Sequence, residues 1–383
     1  MASALDTRSV HAGEPDPRIE GAVTTPIFQT ATYTHDDPET PPRYLRYNNS
    51  PNHEALHKKL ASLTQTEAAL VTASGMAAIS STLMSLLDAG AHLLAPRSLY
   101  GGTLTFFDQL LPRFGVEHTL VADESPEAWA AAVQPNTTVL YAESITNPLL
   151  EVTDLEGMVE FADAHGLTTV IDNTFGSPVN VRPAEHGFDV VLHSGTKYLG
   201  GHSDLAAGVV AGPSDVLEEV RQTAQSLGGT LDPHACFLLQ RSLKTLGVRV
   251  RQQNATAEVL ATRLADHGAV ERVHHPSLPS HPHHERAEAL LDGFGGMVSL
   301  HVDPQASLET FFEALSLPLR APSLGGVETL VTQPVHTSHK NVDPAVRESL
   351  GITEHLVRIS VGLEGTDDLI EDFASALDAS LKA

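Results

Sequence analysis

Short apolar runs alternate with amphipathic stretches between residues 56 and 235, and this alternation constrains the fold more than any other feature. The runs are AALVTAS (68–74), AHLLAP (91–96), TTVLYAES (137–144), TTVIDNTF (168–175), VVLHSGTK (190–197) and AAGVVAGP (206–213). Their length and their content of Val and Leu are typical of buried strands, and segments between them, such as LEGMVEFADAHG (155–166), have helical spacing. The pattern predicts βαβ units around a mostly parallel central sheet, which is an α/β fold.

The segments on either side of this core predict two further parts. Sustained helical spacing over 235–268 predicts a long helix that links the core to a second domain. Strand patterns at 295–303 and 355–364 and a helical pattern at 367–382 then predict a smaller C-terminal α+β domain, so that linker and domain together span 236–383. Residues 1–55 are rich in Pro, Thr and Asn without periodicity, which predicts an N-terminal arm that contacts a neighbouring subunit.

The charge balance limits the classes of partner. The 383 residues include 23 Lys plus Arg against 48 Asp plus Glu, for a formal net charge of -25. This excess of acid disfavours nucleic acid and anionic membranes as partners, so any bound anion requires a local site. A single cysteine, Cys236, in an apolar run is expected to be a small buried hydrophobe and excludes an internal disulfide. Without a signal-peptide pattern or an apolar run of about 20 residues, we expect a cytoplasmic protein.

The segment SGTKYLGGHSD (194–204) places Lys197 between hydroxyl residues and glycines, directly after an apolar run. It fits a phosphate loop, a Schiff-base lysine, a metal site with His202 and Asp204, or an ordinary strand-to-turn junction. A phosphate loop requires GxxxxGK[ST], which the residues around Lys197 do not match, and the first βα junction, TASGMAAISS, lacks GxGxxG. Nucleotide and nicotinamide chemistry are therefore disfavoured, and the other three interpretations stay open.

Two further strand ends supply groups that complement a reactive lysine. Gly75 and Met76 begin a helical run after a strand, and free amides at a helix N-terminus form an anion site without a basic side chain. Asp172 ends an apolar run and so presents a carboxylate at the edge of the sheet where α/β proteins bind ligands, although it could instead cap the next helix. Pyridoxal phosphate (PLP) needs a lysine, an acid for its pyridine nitrogen and a phosphate site, and these residues match that need.

Ordered motifs extend over nearly the whole chain: TRSVHAG (7–13), YAESITNP (141–148), SGTKYLGGHSD (194–204), SLGGVETL (323–330) and VRISVGLE (357–364). In these motifs the sequence resembles the Cys/Met-metabolism (trans-sulfuration) family of PLP-dependent enzymes. That family includes cystathionine γ-lyase, cystathionine γ-synthase, methionine γ-lyase and O-acetylhomoserine sulfhydrylase. The resemblance implies PLP as cofactor, fold type I (aspartate-aminotransferase-like) and a homotetramer built from dimers that share active sites.

The resemblance also implies roles for individual residues. Lys197 is expected to be the Schiff-base lysine and a proton carrier, Tyr100 to stack on the cofactor and assist proton transfer, and Asp172 to pair with the pyridine nitrogen. The other expected cofactor-binding residues are Gly75, Met76, Thr174, Ser194 and Thr196, together with Tyr44 and Arg46 of the neighbouring subunit. Expected to hold the substrate are Asn147, Ser323 and Arg358, the last because a bidentate Arg suits a carboxylate.

The residues that distinguish members of the family are mixed in this chain. Pro322 and Arg43 stand where cystathionine γ-synthases and γ-lyases usually have Glu, and Thr105 stands where many lyases of cystathionine have Arg. Gly102 stands where methionine γ-lyases have Cys. The segment QPVHTSH (333–339) replaces the usual HPASMTH.

The apolar Pro322 favours a neutral leaving group, so we expect a C–S lyase. The expected reaction is α,γ-elimination of methionine, homocysteine or cystathionine to an α-keto acid, ammonia and a thiol. The alternative is γ-replacement, as in cystathionine γ-synthase or O-acylhomoserine sulfhydrylase. Other classes to consider are an aminotransferase of the same fold and a metal-binding protein based on the His-rich loop 274–285. No metal is expected, because the family has a similar His/Pro segment without metal.

Overall fold

A seven-stranded sheet forms the centre of the computed structural model, which describes residues 4–122 and 125–382. Its strands are β1 (Ala68–Thr72), β2 (His92–Pro96), β3 (Glu117–Val121), β4 (Thr137–Glu143), β5 (Thr168–Asp172), β6 (Val190–Ser194) and β7 (Gly208–Gly212). Their order is β1-β7-β6-β5-β4-β2-β3, and all pairs are parallel except those that β7 makes with β1 and β6. The predicted mostly parallel sheet is confirmed. Strand β3 was not predicted, because it is an edge strand with polar, partly exposed residues.

Helices cover both faces of this sheet. Those in the N-terminal two thirds of the chain are α1 (Leu5–His11), α2 (Pro51–Thr64), α3 (Gly75–Leu86), α4 (Gly101–Thr105), α5 (Pro126–Ala132), α6 (Leu155–His165), α7 (Ser177–Asn180), α8 (Ser214–Leu227) and α9 (Pro233–Leu243). Because side chains alternate along a strand, Leu70 of β1 packs with α3 and α8, whereas its neighbour Val71 packs in the cluster that includes α2 and α9. Cys236 lies buried in the same cluster as Val71, as expected.

The predicted long helix over 235–268 is wrong in one respect, because it is two helices. Helix α9 ends at Leu243, and α10 (Leu246–Ala265) begins after Thr245, whose φ of -113° and ψ of 8° depart from helical values. The Thr245 hydroxyl donates to the Ser242 carbonyl at 3.2 Å, a local bond that competes with continuation of the helix.

A second, five-stranded sheet follows, with the order β10-β11-β12-β9-β8. Its strands are β8 (Val270–His274), β9 (Met297–Val302), β10 (Leu319–Arg320), β11 (Leu330–Thr332) and β12 (Leu356–Ser360), and its helices are α11 (His284–Leu290), α12 (Leu308–Ala314), α13 (Pro344–Ser349) and α14 (Thr366–Ser380). Side chains of α10, α12 and α14 form one apolar cluster with β9 and β12. Among the described helices, none combines the length and apolarity needed to cross a membrane.

The first part of the predicted arm packs against its own chain. The Glu14 carboxylate, whose side chain is 4% exposed, lies 2.7 Å from Arg18, 2.9 Å from Lys244 and 3.7 Å from Lys59. Burial lowers the pKa of Lys59 to about 8, and its amine also donates to the Ser9 carbonyl. The predicted contact with a neighbouring subunit stays a prediction, as do the domain limits, and the limits at 55/56 and 235/236 fall within α2 and α9.

Candidate active site

The carboxyl ends of β1, β4, β5 and β6 lie at one edge of the large sheet, because these strands run in the same direction. A cavity of about 570 Å³ opens there, and residues of the second sheet complete its wall. The structure brings together all the predicted site residues except Tyr44 and Arg46. Those that line the cavity are Gly75, Met76, Tyr100, Asn147, Asp172, Thr174, Ser194, Thr196, Lys197, Ser323 and Arg358.

The N-terminus of α3 forms the anion-binding side of the cavity. Ser74 caps the helix by accepting from the Ala77 amide at 3.1 Å, whereas the Gly75 and Met76 amides have no hydrogen-bond partner within the described residues. A Cβ on Gly75 would lie 2.9 Å from the Ser194 Cβ, so a side chain there would occupy the space between helix and strand. Free amides, the helix dipole and the Ser194 hydroxyl are suited to bind a phosphate. The Thr196 hydroxyl lines the same cavity and bonds the amide and the carbonyl of Ala207, at 3.0 and 3.3 Å.

Lys197 lies in the tight turn after β6, where its amine faces the cavity. The Lys197 amide donates to the Ser194 carbonyl at 3.1 Å, and the Gly201 amide donates to the Lys197 carbonyl at 2.7 Å. Its Nζ lies 2.7 Å from the Ser323 Oγ. Burial, and then the charge of Arg358, lowers the pKa of Lys197 to about 8, which increases the fraction of neutral, nucleophilic amine.

A buried guanidinium fixes this turn. Arg249, which is 4% exposed, donates to the Tyr198 carbonyl at 2.8 Å and to the Ser242 carbonyl at 3.1 Å. His202 approaches the Gly200 carbonyl at 2.8 Å through Nδ1, whereas Asp204 is exposed. His202 therefore braces the turn, whereas the exposed Asp204 does not.

Asp172 presents its carboxyl group to the cavity from the end of β5. Its Oδ1 accepts from the Thr174 amide at 2.9 Å, and the Thr174 hydroxyl in turn accepts from the Ser194 amide at 2.7 Å. Burial raises the pKa of Asp172, and the hydrogen bond from Thr174 opposes this. A cationic ring nitrogen placed against this carboxyl group would favour its ionised form.

Arg358 on β12 forms the opposite side of the cavity. It donates to the Asn147 Oδ1 and to the Ser323 carbonyl, both at 3.0 Å, while its buried Nε has no partner among the described residues. Burial lowers the pKa of Arg358 to about 10, so it is cationic at neutral pH. Ser323 has a φ of 101°, a left-handed backbone conformation that costs about 1–3 kcal/mol in a residue other than glycine. A partly unpaired, buried guanidinium is suited to bind a carboxylate.

Glu143 is a site residue that the sequence did not identify, although its motif YAES was noted. It is the last residue of β4, it is 4% exposed, and it lines the cavity beside its register partner Asp172 on β5. Its Oε1 accepts from the Tyr100 amide at 2.6 Å. The only signal in the sequence is a charged residue that ends an apolar run, as Asp172 also does.

Tyr100 directly precedes α4, and its phenol ring, 40% exposed, lies at the cavity wall. Any Cβ on Gly102 would clash with this ring and approach the Met76 Sδ at 3.2 Å. Gly102 therefore gives the ring its space.

Tyr44 and Arg46 lie outside the cavity of their own chain. The Arg46 guanidinium is 5.9 Å from the Tyr44 ring centroid and donates to the Gln225 carbonyl, and both residues are exposed. Arg43 beside them pairs with Glu54 at 2.9 Å. Their predicted role in a neighbouring subunit stays a prediction.

The part of the cavity wall beyond Ser323 is mostly uncharged. It consists of Pro322, Leu324 and the segment His336, Thr337 and Ser338. His336 is ionisable, and its Nε2 lies 3.4 Å from a Glu354 carboxylate oxygen at the exposed rim. Thr105, which replaces the Arg of many lyases of cystathionine, binds the Gly101 carbonyl of its own helix at 2.8 Å.

Several histidines of the loop 274–285 bond to backbone groups, and His281 and His283 also contact each other. His283 Nδ1 accepts from the Val152 amide at 3.0 Å, and His284 Nδ1 lies 2.8 Å from the Pro276 carbonyl. Within the described ranges, no three His, Cys, Asp or Glu side chains are grouped as metal ligands.

The cavity fits PLP on the grounds of its own geometry. It joins two hydroxyl residues, a lysine of lowered pKa and a buried carboxyl group to helix amides and a guanidinium Nε that have no partner among the described residues. The α/β fold with this set of residues at the carboxyl edge of its sheet defines a PLP-dependent enzyme of fold type I.

Comparison with known proteins gives the family. The chain belongs to the family described as Cys/Met metabolism PLP-dependent enzyme, whose sequence profile matches residues 6–378. Cystathionine gamma-lyase of Bacillus subtilis (strain 168) is 40% identical over 375 residues, which cover 97% of this chain and 98% of that protein. Cystathionine beta-lyase of Lactococcus lactis subsp. cremoris (strain MG1363) is 37% identical over 379 residues, covering 98% and 99%.

A solved structure agrees with this assignment. Cystathionine gamma synthase from Xanthomonas oryzae pv. oryzae, in complex with aminoacrylate and cysteine, superposes with a TM-score of 0.95 at 33% identity and covers 99% of this chain and 98% of that one. The fold prediction, the family and the cofactor are therefore confirmed. Because the relatives include lyases and a synthase, they leave the reaction of this chain to be argued from its site.

Proposed function

We propose that this enzyme is a C–S lyase that catalyses α,γ-elimination of methionine, homocysteine or cystathionine. When bound, PLP supplies an electron sink for negative charge at the α-carbon of an amino acid. The observation that carries the proposal is the mostly uncharged wall at Pro322, where the ionisable side chain of His336 lies at the exposed rim beside Glu354. Such a wall suits release of a neutral thiol better than capture of a zwitterionic acceptor.

The side chains of this chain divide the work as follows. Lys197 would hold the cofactor through its aldehyde, and its amine would move a proton at the substrate α-carbon. Asp172 would keep the ring nitrogen protonated, and the α3 amides with Ser194 and Thr196 would hold the phosphate beside Thr174.

The substrate-facing residues have separate tasks. Arg358, oriented by Asn147 and the Ser323 carbonyl, binds the substrate carboxylate. Tyr100, at the cavity wall, would cover the cofactor ring and assist proton transfer to the leaving group.

A substrate panel tests the reaction. We expect L-methionine or L-cystathionine alone to yield an α-keto acid, ammonia and a thiol, and L-homocysteine to yield hydrogen sulfide in place of the thiol. No product is expected from Lys197→Ala. With cystathionine, γ-cleavage gives 2-oxobutanoate and cysteine, whereas β-cleavage gives pyruvate and homocysteine. Turnover only of O-acyl-homoserine, and only with added cysteine or sulfide, would overturn the lyase in favour of the γ-replacement that the synthase relatives suggest.

We also propose a cytoplasmic homotetramer in which Tyr44 and Arg46 complete the site of a neighbouring subunit. Their exposure away from their own cavity supports this, and the lone buried Cys236 suits a reducing compartment. Co-expression of Lys197→Ala with Arg46→Ala tests the shared site, because mixed dimers then contain one intact site. Activity well above that of either variant alone is expected, and a fully active Arg46→Ala enzyme would refute the shared site.

A further inference from the structure

Glu143 is buried at the centre of the site without a role in the mechanism above. It ends β4 in register with Asp172 on β5, so two carboxyl groups lie side by side at the edge of the sheet. In the described part of the chain, no Lys or Arg forms an ion pair with either carboxyl group. Ionisation of both carboxyl groups is costly, because each is buried and the charge of one disfavours the charge of the other.

Glu143 contacts two other segments of the site. It accepts a hydrogen bond from the Tyr100 amide at 2.6 Å, just before α4. The Asn147 amide, in the loop after β4, lies near enough to favour the charged form of Glu143 and so to oppose the rise of its pKa. Asn147 in turn receives a hydrogen bond from Arg358. One side chain thus contacts the segment that carries the ring-covering tyrosine and the segment that orients the carboxylate-binding arginine.

The surroundings favour the neutral form of Glu143. Burial, and then the charge of Asp172, raises the pKa of Glu143 well above its usual range, while the two amides oppose this. Tyr141, two residues earlier on β4, is also buried and has a raised pKa. The other titratable side chains that line the cavity are Tyr100, Lys197, His336 and Arg358. Burial raises the pKa of Asp172 as well, but a cationic ring nitrogen bound against Asp172 would favour the ionised form of that residue, so we assign the negative charge of the pair to Asp172.

We propose that Glu143 is a positioning residue, whose un-ionised carboxyl group fixes Tyr100 and Asn147 and leaves the negative charge of the carboxyl pair on Asp172. The proposal rests on the PLP chemistry of the family and not on the choice between elimination and replacement. Any substrate that the wild-type enzyme turns over therefore serves in the test. A failure of the proposed reaction and a failure of this proposal are thus separate outcomes.

Three substitutions separate position from charge. Glu143→Gln keeps an acceptor oxygen at the same distance and cannot ionise, so we expect kcat/KM within about threefold of wild type and an unchanged pH profile. Glu143→Asp keeps the acid but withdraws the oxygen by one methylene, and Glu143→Leu removes the acceptor. For both we expect kcat/KM to fall about 10- to 100-fold, since displacement of a reacting group by about 1 Å can lower rates 100-fold. Glu143→Gln is thus expected to have a higher kcat/KM than Glu143→Asp.

Glu151→Leu is the matched control, because Glu151 is a partly buried glutamate on the same connection that does not line the cavity. A readout that does not depend on turnover is the infrared band of a protonated carboxyl group in the apoenzyme at neutral pH. It should be present in wild type and lost in Glu143→Gln. Affinity of each apoenzyme for PLP is measured alongside, with circular dichroism to confirm folding.

Two results would overturn the proposal. One is full activity in Glu143→Asp, which decides the question even if Glu143→Leu does not fold. The other is a loss in Glu143→Gln as large as in Glu143→Asp, with a shifted pH profile, which would make Glu143 a charged participant.

Discussion

Replacing Lys197 by methionine in the apoenzyme is expected to increase the free energy of unfolding at pH 7. Burial, and then Arg358, lowers the pKa of Lys197 from 10.5 to about 8, and at about 1.4 kcal/mol per pH unit this difference corresponds to about 3 kcal/mol. The protonated amine of Lys197 is therefore about 3 kcal/mol less stable in the native state than in the unfolded chain. The Lys197 hydrogen bond to Ser323 offsets about 1 kcal/mol, so we expect a net gain of about 2 kcal/mol on its removal.

The gain has a defined pH dependence. Between pH 8 and pH 10.5 the unfolded chain holds a proton on Lys197 that the native chain has released, so wild-type stability rises with pH across this window. The advantage of Lys197→Met is therefore complete below pH 8 and disappears by about pH 10.5. Methionine has a similar length, so the substitution leaves little empty volume.

Urea unfolding of the two apoenzymes, followed by circular dichroism at equal protein concentration and at pH 7 and 9.5, measures this effect. Lys58→Met, on the exposed side of α2, is the control and should change stability by less than about 0.5 kcal/mol. A less stable Lys197→Met protein at pH 7 would contradict the reasoning, as would a stability difference that does not change with pH.

Three further substitutions test other parts of the site. Gly75→Ala places a Cβ 2.9 Å from Ser194 and should raise the dissociation constant for PLP at least about tenfold. The control is Gly229→Ala, whose Cβ would lie 3.5 Å from Ala77; equal PLP affinities of the two apoenzymes in a titration would refute the role of the space between Gly75 and Ser194. Asp172→Asn keeps an acceptor for the Thr174 amide but removes the charge, so kcat should fall at least about 100-fold while the cofactor stays bound. The control is Asp189→Asn, at the opposite edge of the sheet, which should leave kcat unchanged. Arg249→Met leaves several buried carbonyl groups unpaired and should lower the free energy of unfolding by about 3 kcal/mol. For Arg251→Met, whose partner Asp6 is exposed, we expect a loss of less than about 1 kcal/mol; similar losses for both variants in urea unfolding would show that Arg249 is not needed to hold the turn.

The core of the fold and most of the site follow from the sequence because they share one pattern. Asp172 and Ser194 each end an apolar run, and parallel strands bring such ends to the same edge of a sheet. Gly75 begins the helix after another such run. The residues that bind an anion and a ring nitrogen could therefore be placed together without coordinates.

What the sequence did not predict depends on long-range geometry. The contact of Glu143 with the Tyr100 amide joins residues 43 positions apart, and its proximity to Asp172 depends on the register of β4 and β5. The division between α9 and α10 arises at Thr245, where a local hydroxyl bond and the buried Arg249 decide against a continuous helix. Strand β10, with two residues, is too short to give a periodic signal.

The hydrogen bond between Lys197 and Ser323 connects the end of the large sheet to a segment that precedes the last strands of the second sheet. Any reaction that uses the Lys197 amine must first break this bond, and any displacement of the second sheet changes the surroundings of the amine. In the apoenzyme, the nitrogen atom that takes part in the reaction thus also links the two sheets through its hydrogen bond to Ser323. The Lys197 Nζ can either hold Ser323 by this hydrogen bond or react with the cofactor, so binding of PLP is expected to loosen the link between the two sheets.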